Sequence, residues 1–162
     1  MRVLIVDDEP AVAELLASFC ESDGHDISVC TSSLEALAHV TSTPIDVLIT
    51  DIVMPQLDGL SLVREARKHD PRMEAIVITG FASNYSMEDV VQAGASDLIL
   101  KPVRMQEFRA RVELALDRRR RLGALAARQR ELQVMSTEMI DGLQRELEDA
   151  GGGIPRRRRP AS

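Results

Sequence analysis

The stretch Arg2-Val3-Leu4-Ile5-Val6-Asp7-Asp8-Glu9-Pro10 (residues 2–10) decides the fold. Its four consecutive aliphatic residues show no alternation of polarity, which marks a strand buried on both faces. Three acids and a proline follow at once. Proline suits the first turn of a helix, and an acid there faces the positive end of the helix dipole, so Glu9-Pro10 predicts a helix start directly after the strand. A buried strand running into a helix is the first half of a strand–helix–strand unit.

The same alternation continues along the 162 residues. Short apolar runs recur at Val3–Val6, Ile27–Cys30, Val47–Ile49, Ile76–Ile78 and Leu98–Leu100. Between them lie amphipathic segments at about 10–22, 33–41, 58–68 and 86–93, with apolar residues three and four apart, as in Leu60, Val63 and Ala66. Right-handed parallel crossovers of this kind build an α/β, doubly wound sheet of five parallel strands, with helices on both faces. With three Phe, one Tyr and no Trp, its core must be aliphatic. Functional groups in such folds gather beyond the carboxyl ends of the strands.

Charge divides the chain. Residues 1–103 carry 6 basic and 17 acidic side chains, whereas 104–162 carry 14 and 9. From Arg104 to about Ala150 one helical pattern runs without proline, until Gly151–Gly153 and Pro155 stop it. Leu122 and Leu125 open a heptad series continued by Gln129, Leu132, Ser136, Met139 and Leu143, which is apolar at five of its seven seam positions. The organisation predicted is a domain over 1–120, a coiled-coil helical extension over 121–150 continuous with the domain's last helix, and a disordered basic tail over 151–162. The extension is expected to join two copies into a homodimer or to contact a kinase, and the arginine run 118–121 to be a solvated face.

The chemistry lies at the strand ends. Strand 1 delivers Asp7 and Asp8, strand 3 Asp51 (in VLITDIVMPQLDG), strand 4 Thr79 and strand 5 Lys101. Three converging carboxylates repel, and a divalent cation resolves the conflict; Mg2+ fits best, because it prefers oxygen ligands and is held by one or two carboxylates plus a phosphoryl oxygen. A carboxylate beside such an ion can attack a phosphoryl group and form an aspartyl phosphate. Lys101, the Thr79 hydroxyl and the metal could then each neutralise one phosphoryl oxygen. The turn chemistry of Met54-Pro55 and Asp58-Gly59 is expected to keep Asp51 exposed.

These motifs, "DD" after strand 1, "D" followed by "MPQLDG", "TG" after strand 4 and "KP" after strand 5, resemble the receiver domain of bacterial two-component response regulators over about residues 1–120. The resemblance implies a flavodoxin-like strand order 2-1-3-4-5. It implies that Asp51 accepts a phosphoryl group from a phosphohistidine on a sensor histidine kinase or phosphotransfer protein. It further implies that Asp7, Asp8, Asp51 and the backbone carbonyl of Val53 bind Mg2+, that Thr79 and Lys101 read the phosphorylated state, and that the Lys101-Pro102 bond is cis. Two departures stand out. The position three before the lysine, often Tyr or Phe in the family, is Leu98, and Val53 and Phe81, flanking the path of a hydrolytic water, are both apolar, which predicts slow self-dephosphorylation.

The functional expectation is a stand-alone, cytoplasmic response regulator that is not an enzyme beyond its own phosphorylation and dephosphorylation. Its signal would leave through the face of helix 4, strand 5 and helix 5 and through the coiled coil, with the 79–86 loop ordering on phosphorylation. The alternatives are a linker remnant of a lost effector, or a nucleic-acid or membrane-surface binder acting through the basic C-terminal region. No interleaved aromatics or recognition helix support sequence-specific DNA binding. No window approaches the length of a membrane span. Cys20 and Cys30 read as buried reduced thiols, and His25, His39 and His69 as solvated surface residues.

Overall fold

A computed structural model of the chain describes residues 1–21, 24–80 and 85–151. Phe81, part of the loop expected to order on phosphorylation, and the tail from residue 152 with its arginines lie outside them. Among the described residues ten elements follow in strict alternation: β1 (Arg2–Val6), α1 (Pro10–Glu21), β2 (Asp26–Cys30), α2 (Ser33–Ser42), β3 (Val47–Asp51), α3 (Gly59–His69), β4 (Glu74–Thr79), α4 (Met87–Ala93), β5 (Asp97–Leu100) and α5 (Met105–Gly151). All strands pair parallel, in the order β2-β1-β3-β4-β5. The predicted elements are all present, with ends displaced by no more than two residues.

The sheet divides the core by side-chain alternation. Val3 and Ile5 of β1, with Val47, Ile49, Ile76 and Ile78, pack under α1 and the first part of α5. Leu4 and Val6, with Leu48, Ala75 and Val77, pack under α2, α3 and α4. A fully buried side chain of this kind contributes about 1.5–3 kcal/mol relative to exposure, which is why the central strands read as unbroken aliphatic runs. Among the described residues Phe108 is the one fully buried aromatic, meeting Phe19 edge-on at 5.9 Å between ring centres. Cys20 and Cys30 are buried thiols in no disulfide, as read.

Helix starts are fixed locally. Pro10 is the first residue of α1, and Glu9 O accepts from Val12 N and Ala13 N at 3.0 and 3.1 Å. Asp58 caps α3 through Ser61 N at 2.9 Å, and Ser86 and Asp89 form a reciprocal capping box on α4.

The chain forms two compact units, Met1–Leu122 and Gly123–Ser162. The described part of the second is the helical stretch 123–151, whose apolar residues are exposed, Leu125 at 67%, Met139 at 66% and Leu147 at 71%. No described helix is long and apolar enough to cross a membrane.

Two surface expectations are corrected. Arg118 and Arg119 are not a solvated run: Arg118 Nε donates to Glu74 at 2.9 Å, and Arg119 bridges Asp46 at 3.1 Å and Asp70 at 2.6 Å. Asp46 precedes β3, Glu74 opens β4 and Asp70 caps the carboxyl end of α3, so the arginines fasten the last helix to the side of the sheet opposite the strand-end acids. His25 is likewise not solvated. Its side chain is only 6% exposed and pairs with Glu113 of α5 at 3.1 Å. His39 is half-buried with a shielded Nε2, and only His69 is exposed.

Candidate functional site

The chain runs from β1 outward to β2 and then returns across β1 to β3, so strand order reverses between these two. The carboxyl ends of β1 and β3 therefore splay around a crevice, and the parallel register sets Val6 beside Thr50, Asp51 beside Ile78 and Thr79 beside Leu100. The residues one step past these pairs share one edge.

Asp7, Asp8 and Asp51 meet there, with one carboxylate oxygen from each within 4.8 Å of the others. Two unit like charges at that separation repel by about 3 kcal/mol at an effective dielectric of about 20. Asp7 is nearly inaccessible at 1%, and its Oδ1 accepts from Glu9 N at 3.0 Å, so the turn into α1 orients it. Asp8 is exposed.

Asp51 is only 8% exposed, contrary to the expectation that the following turn keeps it open. The cause is Lys101. Its Nζ donates to Asp51 Oδ2 at 2.7 Å and to Asp7 Oδ2 at 3.1 Å, lying across both carboxylates. Burial works against the ammonium charge, but the hydrogen bonds it donates to Asp51 and Asp7 and the charges of those carboxylates outweigh it, and the Lys101 pKa is raised above its ordinary value. Lys101 follows β5 directly, its amide donates to Thr79 O at 2.9 Å, and the next peptide bond, to Pro102, is cis, as the resemblance implied.

The loop after Asp51 is held from several sides. Asp51 Oδ1 accepts from Val53 N at 3.2 Å, Ile52 N donates to Ile78 O at 3.0 Å, and Gly59 N donates back to Ile52 O at 2.9 Å. Ile52 is fully buried, while Val53 is 44% exposed beside the site. Gln56 takes the left-handed conformation at φ 70°, which turns the loop into α3. A cavity of about 230 Å3 opens here, lined by Asp8, Glu9, Asp51, Val53, Gly80 and Lys101. Thr79, at the end of β4, is 1% exposed.

Sequence reasoning brought Asp7, Asp8, Asp51, Thr79 and Lys101 to one edge, and that is where they lie. Gly59 was missed. A Cβ at this residue would stand 1.9 Å from the Asp51 carbonyl oxygen. Glycine is therefore required because α3 begins against the backbone of the central acid. The signal available was Asp58-Gly59, read only as turn chemistry. Glu9, read as a helix start, also lines the cavity.

The donors suit a hard divalent cation. All are oxygens, and the formal charge of three carboxylates less one ammonium is −2, which such an ion balances. Mg2+, a hard ion that prefers oxygen ligands, would be held here by Asp7, Asp8 and Asp51.

Comparison with known proteins agrees with this geometry. Residues 3–113 match the model of the response regulator receiver domain. The chain is 34% identical over 118 residues to the response regulator MprA of Mycobacterium avium, covering 73% of this chain and 52% of that one. It is 34% identical over 118 residues to the transcriptional regulatory protein TrcR of Mycobacterium tuberculosis, covering 73% and 46% respectively. A CheY-like receiver domain protein from Methanospirillum hungatei superposes with a TM-score of 0.69 at 28% identity, over 74% of this chain and 96% of that structure. The chain belongs to the response regulator receiver family, a class of signalling domains of two-component systems that are generally not enzymes. It spans about half the length of the curated relatives it matches.

Proposed function

We propose that Asp51 is the phosphoacceptor, taking a phosphoryl group from a phosphohistidine of a sensor histidine kinase or phosphotransfer protein. The observation that carries this is the position of Asp51 Oδ2, 2.7 Å from the Lys101 ammonium at the wall of a cavity of about 230 Å3. A carboxylate oxygen of Asp51 attacks phosphorus. The new O–P bond forms as the N–P bond of the donor breaks, and the departing imidazole nitrogen keeps the electron pair. Such transfers depend on positioning and on charge placed against the equatorial oxygens.

Lys101 supplies one such charge; its contact with Asp51 moves to a phosphoryl oxygen as the carboxylate becomes an acyl phosphate, a mixed anhydride. Thr79, at the end of the neighbouring strand, donates its hydroxyl to a second oxygen. Asp7, Asp8, Asp51 and the Val53 carbonyl would hold Mg2+, which supplies the remaining positive charge when bound. Glu9 N and Val53 N keep the Asp7 and Asp51 carboxylates aimed, with contacts of 3.0 and 3.2 Å.

The signal leaves through protein contacts of α4, β5 and α5, and the helical extension after residue 120 joins two copies. Supporting this reading are exposed Met87 and Val91 on α4 and Leu100 at the end of β5, at 63%, 67% and 52%.

The test is labelling with acetyl phosphate over a Mg2+ series. Wild type takes up one phosphoryl group, Asp51→Asn none, and Asp8→Asn shifts the Mg2+ requirement upward by about 10-fold or more, since each first-coordination carboxylate matters strongly to a hard cation. Full labelling of Asp51→Asn, or labelling indifferent to Mg2+, refutes the reading.

A further inference from the structure

The stretch of α5 beyond Leu122 is a helix with an apolar stripe and nothing described to cover it. Leu125, Leu132, Met139, Ile140, Leu143 and Leu147 are each 52–71% exposed. Burial of such a stripe by a second helix is what stabilises a long isolated helix in water. The sequence of charges along the helix selects the partner and its direction.

Gly123–Arg130 carries two arginines and no acid, while Glu131–Asp149 carries six acids and one arginine. The stretch is therefore positive at its start and strongly negative over its remainder. Arg121, just upstream, extends the positive end, whereas Arg118, Arg119 and Arg120 are paired with Glu74, Asp46, Asp70 and Asp117. Two copies side by side in the same direction put like charge on like charge throughout. In opposite directions, each positive start lies on a negative end, and the two helix dipoles also oppose.

The charged residues at and beside the seam make the same choice. In a parallel pair the layers are self-pairs, so Glu146 faces the partner's Glu146 in the seam and Arg128 faces the uncharged Gln133 of the partner subunit across the flank. In the antiparallel pair one alignment sets Leu132 against the partner's Leu143 and Leu125 against the partner's Ala150. That alignment also puts Gln129 opposite the partner's Glu146, polar on polar, and Arg128 opposite the partner's Asp149 on the flank. Two-fold symmetry gives every contact twice.

We infer that residues 123–150 form an antiparallel coiled coil with a second copy of this chain, in the alignment that pairs Leu132 with the partner's Leu143 and Arg128 with the partner's Asp149. The inference rests on the self-association proposed above and adds its direction. In this arrangement the two Gly123 residues lie at opposite ends of the coil, about 44 Å apart along its axis at about 1.5 Å of rise per residue. In a parallel coil they would be within about 10–15 Å, given helix axes about 10 Å apart.

The experiment has two arms on the full chain. In the first, Gly123→Cys is spin-labelled; an added side chain there meets nothing within 4 Å, and the native Cys20 and Cys30 are buried, the unsubstituted chain serving as labelling control. Solution mass gives the number of copies, and pulsed dipolar spectroscopy gives the distance. A dimer with a label separation beyond about 30 Å supports the inference. A dimer with any shorter separation overturns the direction while leaving self-association standing, and a monomer or a larger assembly overturns both. The second arm reverses charge. Asp149→Arg weakens the dimer by about 5-fold or more by opposing the partner's Arg128, and adding Arg128→Asp restores it. Equal dimer affinity in all three chains overturns the alignment.

Discussion

Gly59→Ala opposes two physical effects of opposite sign, and the structure decides between them. Judged by helix propensity alone, alanine at the first residue of α3 stabilises by up to about 1 kcal/mol. The added Cβ, however, would lie 1.9 Å from the carbonyl oxygen and 2.9 Å from the carbonyl carbon of Asp51, and 3.0 Å from the Cα of Ile52. All three atoms are backbone, and Ile52 is fully buried, so no flexible side chain can yield. Overpacking a rigid site costs about 1–3 kcal/mol and sometimes more. The helix must slide off the Asp51 loop, breaking the Gly59 N to Ile52 O bond of 2.9 Å, and a net loss of about 2–3 kcal/mol follows after propensity is subtracted.

Urea unfolding reads this as a midpoint lowered by about 1–2 M at an m-value of about 1.5 kcal/mol/M. Because displaced backbone carries the carboxylate with it, acetyl phosphate labelling of the variant slows by about 10-fold or more. Gly123→Ala is the internal control: nothing lies within 4 Å of its Cβ, so the same chemical change raises helix content by circular dichroism and leaves the midpoint of the first unit unchanged. A Gly59→Ala midpoint equal to or above wild type would refute the close approach of α3 to the Asp51 backbone.

Other outcomes follow from single contacts. Burial pushes the Asp70 carboxyl up, but hydrogen bonds from Arg119 and the Arg72 amide, with the charges of both arginines, outweigh it and hold the group below its ordinary value. Its contribution is thus fully present above the unfolded value of about 3.9 and is lost as pH falls through the lower folded value. Wild type should therefore lose more of its urea midpoint on acidification below about pH 4 than Arg119→Leu, which has already lost the pair; parallel profiles would contradict the contact. Burial, aided by the charge of Glu35, pushes the Cys30 thiol up, so at pH about 8 iodoacetamide should modify native Cys30 about 10-fold or more slowly than the unfolded chain, and equal rates would refute its burial. Val53 is apolar and 44% exposed at the site, and its side chain offers no hydrogen bond to a water. The phosphorylated protein should decay over minutes or longer, and Val53→Asn should accelerate it; a wild-type half-life of seconds would contradict this.

The sheet was legible because its signal is local and redundant. Val3–Val6, Val47–Ile49 and Ile76–Ile78 are aliphatic without interruption, and fully buried parallel strands leave that mark wherever they occur. The strand-end groups were legible for a related reason: topology alone brings every strand terminus to one edge, so Asp7, Asp51, Thr79 and Lys101 could be assembled without coordinates. What escaped depends on distances between segments far apart in the chain. Arg119 meets Asp46 and Asp70 only because α5 passes the start of β3 and the carboxyl end of α3, and a run of four arginines carries no trace of which face it will present. His25 is covered by Glu113, 88 residues away. The near-burial of Asp51 arises from where the Lys101 chain reaches, and the need for glycine at residue 59 from a helix end meeting a strand end.

The central claim is that Asp51, among three acids whose carboxylate oxygens lie within 4.8 Å of one another, receives the phosphoryl group. Reduction of the labelled protein with borohydride converts an aspartyl phosphate into homoserine, and peptide mass mapping then locates the altered residue. The account predicts homoserine at residue 51 alone, dependent on prior labelling. Homoserine at residue 7 or 8, or none anywhere in a fully labelled protein, would contradict it.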